Sequence, residues 1–96
     1  MVTSWKDLQK GVEVRGGYGN DLTVIYNGLL KNSGADQVYL HYGFGEHWSD
    51  AETTRMDNSF HGFEKTIRMK NHMCKFCFKD SANNWDNNCG HNWTVR

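Results

Sequence analysis

Apolar and polar residues alternate along most of the chain with the two-residue period of half-buried β-strands. In residues 37–42, Val38 and Leu40 fall on one face of such a strand, while Tyr39 and His41 fall on the other. This segment is therefore predicted to be a strand, with His41 on its outer face.

Six further segments have the same alternation or are rich in β-branched and aromatic residues. They cover residues 12–15, 21–26, 52–56, 62–70, 72–79 and 92–95. The stretches between them carry Gly, Asn, Asp or Ser, which are the residues that form turns. About seven short strands at this spacing predict an all-β fold, an immunoglobulin-like antiparallel β-sandwich. The only helical turn is expected within residues 3–10.

Length and charge limit the class of protein. A chain of 96 residues has one modest core, so residues 1–96 are predicted to form a single module. Eleven basic side chains balance eleven acidic ones, which argues against nucleic acid or an anionic membrane surface as partner. The first residues lack the basic and apolar regions of a secretory signal. As written, the chain is expected to be cytoplasmic, or extracellular if it is a module excised from a larger protein.

The aromatic content is high for so polar a chain, with four Trp, four Tyr and five Phe. Trp48 and Trp85 lie in segments predicted to be loops, whereas Trp5 and Trp93 are assigned to packing, the usual role of tryptophan. An exposed indole can stack on the apolar face of a sugar ring, while nearby amides and imidazoles bind the hydroxyl groups. His41 joins this set because its strand leads directly into the Trp48 loop.

The cysteines and histidines permit a competing interpretation as a zinc site. His72, Cys74, Cys77, Cys89 and His91 are all possible ligands, and "CKFC" has a spacing found in zinc sites. However, residues three apart on a strand point to opposite faces. Cys74 is therefore predicted to be a core residue and Cys77 a free surface thiol, with no metal and no cofactor.

Catalysis has little support in the sequence. No serine or cysteine lies in a nucleophile elbow, and a small sandwich offers no cleft for a pair of catalytic carboxylates. The chain is therefore not expected to be an enzyme.

Two blocks of sequence carry a resemblance to a known family. They are "DLTVIYNGLLKNSGADQVYLHYGFGEHW" and "MDNSFHGFEKTIRMKNHMCKFCFKDSANNWDNNCGHNW", and the most specific part of the second is "FKDSANNWDNNCGHNW". Over residues 13–95 the chain resembles a family 25 carbohydrate-binding module and its close relatives, the starch-binding modules of amylases and of some starch synthases. The resemblance implies a non-catalytic immunoglobulin-like sandwich that binds α-1,4-linked glucans such as starch, glycogen and maltooligosaccharides. It also implies attachment to, or association with, a glucan-active enzyme.

The resemblance further implies a curved binding platform made of two tryptophans and a histidine. These correspond to Trp48, Trp85 and His41, and Asp86 corresponds to a brace of the loop. Asn87 and Asn88 are candidate hydroxyl partners or loop braces. The full set of candidate ligand-binding residues is His41, Trp48, Trp85, Asn87, Asn88, Tyr39 and His47.

Two other functions stay open at this point. In one, a sandwich of the same fold uses exposed Trp48 and Trp85 as anchors for a protein partner. In the other, Cys and His residues bind a zinc ion that stabilises the module.

Overall fold

The computed structural model describes residues 4–70 and 72–96. In this part of the chain, ten strands and one helix follow one another. They are β1 (Trp5–Asp7), β2 (Val12–Gly16), β3 (Asp21–Tyr26), α1 (Leu29–Asn32), β4 (Val38–Phe44), β5 (Ser49–Arg55), β6 (Asp57–Ser59), β7 (Gly62–Arg68), β8 (Cys74–Asp80), β9 (Trp85–Asp86) and β10 (Trp93–Val95).

The strands form two antiparallel sheets that pack face to face. One sheet has the order β1-β2-β3-β7-β6, and the other has the order β10-β8-β4-β5, with β9 also paired to β8. The core lies between the sheets, where Tyr26 stacks on Phe78 with their ring centroids 4.0 Å apart and Trp93 packs on Phe76 at 6.0 Å. The predicted β-sandwich is confirmed, and the assignment of Trp93 to packing is correct.

All seven predicted strands are present, with ends that differ by a few residues. Three short strands, β1, β6 and β9, add to them. Strands of two or three residues do not contain enough alternation to be recognised from sequence.

The prediction of a helical turn within residues 3–10 is wrong for Trp5–Asp7, while Thr3 lies outside the described residues. Trp5–Asp7 is strand β1, and its Trp5 ring packs against Phe76 at a centroid distance of 6.4 Å. One backbone hydrogen bond with the four-residue spacing of an α-helix follows, in which the Gly11 N–H donates to the Asp7 carbonyl at 2.9 Å. Burial of the Trp5 ring against the second sheet favours the extended conformation here.

The helix lies elsewhere, in α1, a segment for which the sequence predicted none. Its Leu30 is buried in the core, and the Leu30 N–H donates to the hydroxyl of Tyr26 at 3.0 Å. A side chain from β3 thus satisfies a helix N–H group that has no partner within the helix. None of the described helical residues forms a segment long and apolar enough to cross a membrane.

Candidate functional site

Three aromatic rings meet on the outer face of the second sheet. His41 projects outward from β4, and its ring stacks on Trp48 with centroids 5.5 Å apart and planes inclined by 22°. On its other side, His41 meets Trp85 edge to face at 5.6 Å and 86°. We call His41, Trp48 and Trp85 the ring cluster. Because His41 is nearly parallel to one indole and nearly perpendicular to the other, the two indole planes are steeply inclined to each other.

Trp48 reaches the ring cluster because Gly43 has no side chain. A Cβ atom at Gly43 would lie 2.8 Å from the Cα and 2.9 Å from the Cε3 of Trp48, distances that real Cβ atoms essentially never show. The indole therefore occupies the space on β4 where the next outward side chain after His41 would stand. A glycine inside a strand pattern signals such a close approach, but Gly43 is not among the site residues predicted from the sequence.

The backbone of Trp48 adopts an uncommon conformation. Its φ is +55°, in the left-handed region that bulky residues avoid at a cost of about 1–2 kcal/mol. Packing of the indole against His41 and Gly43 holds the residue in this conformation.

Thr53 orients the imidazole of His41. It faces His41 across the β4–β5 pair, and its Oγ1 lies 2.7 Å from Nδ1 of the histidine. This hydrogen bond engages Nδ1, so Nε2 is the ring nitrogen that can form a hydrogen bond with a ligand. Depending on the tautomer, Nε2 then donates or accepts one hydrogen bond.

Trp85 is held by the hairpin between β8 and β9. Asp80 closes this hairpin with three hydrogen bonds of 2.9 Å. Its Oδ1 accepts hydrogen bonds from the backbone N–H groups of Ala82 and Asn84, and its Oδ2 accepts one from the side-chain Nδ2 of Asn84. These hydrogen bonds, above all that from the Asn84 side chain, lower the pKa of Asp80. The hairpin presents Trp85 beside Lys79 with 47 % of the residue exposed.

Asp86, the residue after Trp85, fastens β9 to the core. Its buried carboxylate accepts a hydrogen bond from the Tyr26 hydroxyl at 2.6 Å, and the oxygen of the same hydroxyl accepts a hydrogen bond from the Leu30 N–H. Burial, reinforced by this bond to Asp86, raises the pKa of Tyr26 well above its usual value. Asp86 is thus a brace, and Tyr26 links it to α1.

The prediction that Cys77 is a surface thiol is wrong. Its position on β8 faces outward, opposite His41, yet only 5 % of the residue is exposed. We infer that Trp85 covers the thiol, because β9 pairs with β8 on the side away from β4 and the Trp85 ring still reaches His41, the residue opposite Cys77. Burial raises the pKa of Cys77 to about 11 and that of Cys74, which faces the core, to about 12.

One fast-reacting thiol is therefore expected in the native protein. At pH 8, Ellman's reagent should label exposed Cys89 rapidly and leave Cys74 and Cys77 protected, because the thiolate is the nucleophile and both buried thiols are protonated and covered. In denaturant, three thiols should react. Rapid reaction of two or more thiols in the native protein would contradict the burial of Cys77.

Two other candidate residues lie near the ring cluster without joining its stack. Tyr39 occupies the outward position before His41, and its hydroxyl donates to Oε1 of Gln37 at 3.0 Å. The ammonium group of Lys79 lies 5.5 Å from the Tyr39 ring and 5.7 Å from the Trp85 ring. His47 is exposed in the turn that carries Trp48.

Asn87 and Asn88 brace the loop that follows β9. Oδ1 of Asn87 accepts the Gly90 N–H at 3.0 Å, and Nδ2 of Asn88 donates to the Asn92 carbonyl at 3.2 Å. Asn87 lies beside a cavity bordered by Trp85. The structure therefore brings together His41, Trp48 and Trp85 and places Asn87 beyond Trp85.

The residues of the zinc interpretation do not converge. Cys74 faces the core and Cys77 the outer side of the same strand. Across residues 4–70 and 72–96, no group of three or more His, Cys, Asp or Glu side chains could hold a metal ion.

Comparison with known proteins identifies the class as carbohydrate-binding. The model of the starch/carbohydrate-binding module (family 53) matches residues 22–76, and the chain belongs to this family. The matched segment contains His41 and Trp48 and ends before Trp85. The predicted class of starch-binding module is confirmed, and the family shown is family 53.

A relative of this chain is an alpha-amylase of Clostridium acetobutylicum. It is 39 % identical over 80 residues, which is 80 % of this chain and 10 % of that protein. The chain thus spans about a tenth of the relative's length. No solved structure matches the chain.

Proposed function

We propose that the chain binds α-1,4-linked glucans, such as starch, glycogen and maltooligosaccharides, through the ring cluster and without catalysing a reaction. The proposal is carried by the three rings that meet on one outer face. The His41 centroid lies 5.5 Å from that of Trp48 and 5.6 Å from that of Trp85, and 47 % of Trp85 is exposed. The resemblance of the two sequence blocks to family 25 modules supports the same class of ligand.

Stacking supplies the main attraction in this proposal. The C–H face of a glucose ring is apolar and flat enough to lie on an indole, and stacking on an aromatic platform contributes about 1–3 kcal/mol for each ring in the case of nucleic-acid bases. Successive glucose rings of an α-1,4-linked chain turn relative to one another. The steep inclination between Trp48 and Trp85 fits such a turning chain better than a flat, β-linked one.

Polar groups around the ring cluster suit the hydroxyls of a sugar. His41 offers Nε2 in an orientation fixed by Thr53, and Lys79 places its ammonium group beside Trp85. An anchor for a protein partner would more often have apolar neighbours at this rim. The surroundings therefore favour sugar over the protein-interaction alternative.

The left-handed backbone of Trp48 also supports a functional role. Strained conformations persist where the surrounding structure enforces them, and they cluster at ligand sites. Here φ of +55° places the indole on Gly43 beside His41, so the strain is coupled to the geometry of the ring cluster.

Attachment to a glucan-active enzyme is part of the proposal. The similar segment forms a tenth of an alpha-amylase, which is the size relation expected of an accessory module. In this role, the module would hold a catalytic partner close to its polymer, and several weak contacts would give useful retention.

Affinity electrophoresis tests the proposal. The protein should migrate more slowly through native gels that contain glycogen or soluble starch than through plain gels. In gels with hydroxyethylcellulose, a β-linked polymer, it should migrate like a reference protein that binds no sugar. Unchanged mobility in glycogen, or equal retardation by both polymers, would refute α-glucan binding.

A further inference from the structure

A cavity of about 540 Å³ opens beside Trp85, on the side of the loop that carries Asn87. Its walls come from three segments, which are the turn of residues 8–11, residues 27–32 and residues 85–89. The volume lies within the range of about 300–1,000 Å³ typical of ligand pockets. Trp85 belongs to both the cavity and the ring cluster, so the two surfaces adjoin at this residue.

The cavity is built from segments that are locked together. A Cβ atom at Gly28 would lie 2.5 Å from the Lys10 carbonyl oxygen and 2.6 Å from the ring of Tyr26, so the turn of residues 8–11 packs directly on the backbone at Gly28. On the opposite side, the Tyr26 hydroxyl bonds to both Asp86 and Leu30. These contacts hold the walls in place before any ligand arrives.

The lining combines apolar and neutral polar groups. Leu8 and Leu29 are 85 % and 60 % exposed, which is unusual for leucine, and both border the cavity together with the amide side chains of Gln9 and Asn32. A neutral ligand with apolar faces and many hydroxyl groups matches this lining, since each amide both donates and accepts.

The charges of the cavity disfavour an ionic ligand. Among the described residues that line the cavity, one is acidic and one is cationic. The carboxylate of Asp86 is engaged by Tyr26, and Nζ of Lys10 is directed towards the Cys89 thiol at 4.0 Å. Neither group forms a cluster that would select an anion or a cation.

We propose that this cavity binds the glucose residues that continue from Trp85 along the same α-glucan chain. The inference rests on the proposed function, because the chain enters the cavity from the ring cluster. The site would then have two parts. Short oligosaccharides occupy the ring cluster, and longer ones also contact Leu8, Leu29 and the amides beyond Trp85.

Chain-length dependence of binding tests the inference. The double variant Leu8→Ala/Leu29→Ala removes two exposed side chains, so it should fold like the wild type. Titration calorimetry with maltotriose and maltoheptaose should show an unchanged affinity for maltotriose and a loss of about five- to tenfold for maltoheptaose. The matched variant Trp48→Ala, at the far end of the ring cluster, should weaken binding of both sugars.

Cys89 provides a second readout, because its exposed thiol borders the cavity. Saturating maltoheptaose should slow its labelling by Ellman's reagent, and saturating maltotriose should not. The extension of the site would be overturned if the double variant bound each sugar with the same affinity as the wild type. It would also be overturned if bound maltoheptaose left the labelling rate of Cys89 unchanged. Failure of the wild type to bind either sugar would instead refute the proposed function.

Discussion

Replacing Trp85 with alanine is expected to reduce glycogen affinity by about 5- to 150-fold, the range that corresponds to the loss of one stacking contact of about 1–3 kcal/mol. The indole is the most exposed member of the ring cluster, so it presents the largest surface to a glucose ring. Its removal should also expose Cys77, because the ring extends over that thiol to His41. Relative mobility in glycogen gels measures the first effect, and the number of fast-reacting thiols measures the second.

Phe60→Ala is the matched control for the loss of an exposed aromatic side chain. Phe60 is fully exposed in the turn between β6 and β7 of the other sheet, so its removal should leave both glycogen retardation and thiol labelling unchanged. If Trp85→Ala were retarded as strongly as Phe60→Ala, the ring cluster would not be the glucan site. If Cys77 stayed protected in Trp85→Ala, some other group would cover it.

Much of the fold could be predicted because the alternation of apolar and polar residues along a strand shows which of its faces is buried in the core. Residues 21–26 and 38–44 form strands close to their predicted limits for this reason. The four-residue helix α1 has too few residues to develop a helical period. It forms because Leu30 enters the core and Tyr26 satisfies its N–H group, and both causes depend on tertiary contacts.

The candidate site was partly predictable. The outward position of His41 and the loop position of Trp48 indicated that the two rings could be neighbours, and the structure places them 5.5 Å apart. The alternation of apolar and polar residues placed both His41 and Cys77 on the outer face of the sheet. The prediction that Cys77 is exposed failed because a residue on the outer face of a sheet need not be in contact with solvent. A large ring from β9 covers that face, and a two-residue strand leaves no periodic signal from which its position could be inferred.

The ring cluster is coupled to the core through residues that do not belong to the cluster itself. Asp86 follows Trp85 and bonds to Tyr26, whose ring stacks on Phe78 in the middle of the sandwich. Trp48, in contrast, is positioned from outside the core, by the absence of a side chain at Gly43. The two indoles therefore depend on different supports, and perturbing either support should affect one indole more than the other.

Gly43→Ala is expected to reduce glycogen affinity about as much as Trp48→Ala does. The added methyl group would lie 2.8 Å from the Cα of Trp48, and this backbone atom cannot move aside as the end of a flexible side chain could. The turn that carries Trp48 must shift and take the indole away from His41. Such overpacking should also lower the free energy of unfolding by about 1–3 kcal/mol, measured by urea denaturation, while affinity is measured by glycogen retardation.

A double-mutant cycle separates this effect from a general loss of structure. If Gly43→Ala acts on binding by displacing Trp48, then adding it to Trp48→Ala should produce no further loss of affinity, because the displaced ring is already absent. Destabilisation should persist in the double variant, since the Cα of residue 48 still opposes the new methyl group. Additive losses of affinity would show that Gly43 acts on the site by another route. Wild-type affinity in Gly43→Ala would mean that the turn can move without disturbing ligand binding, and the contact between Trp48 and β4 would then have no part in recognition.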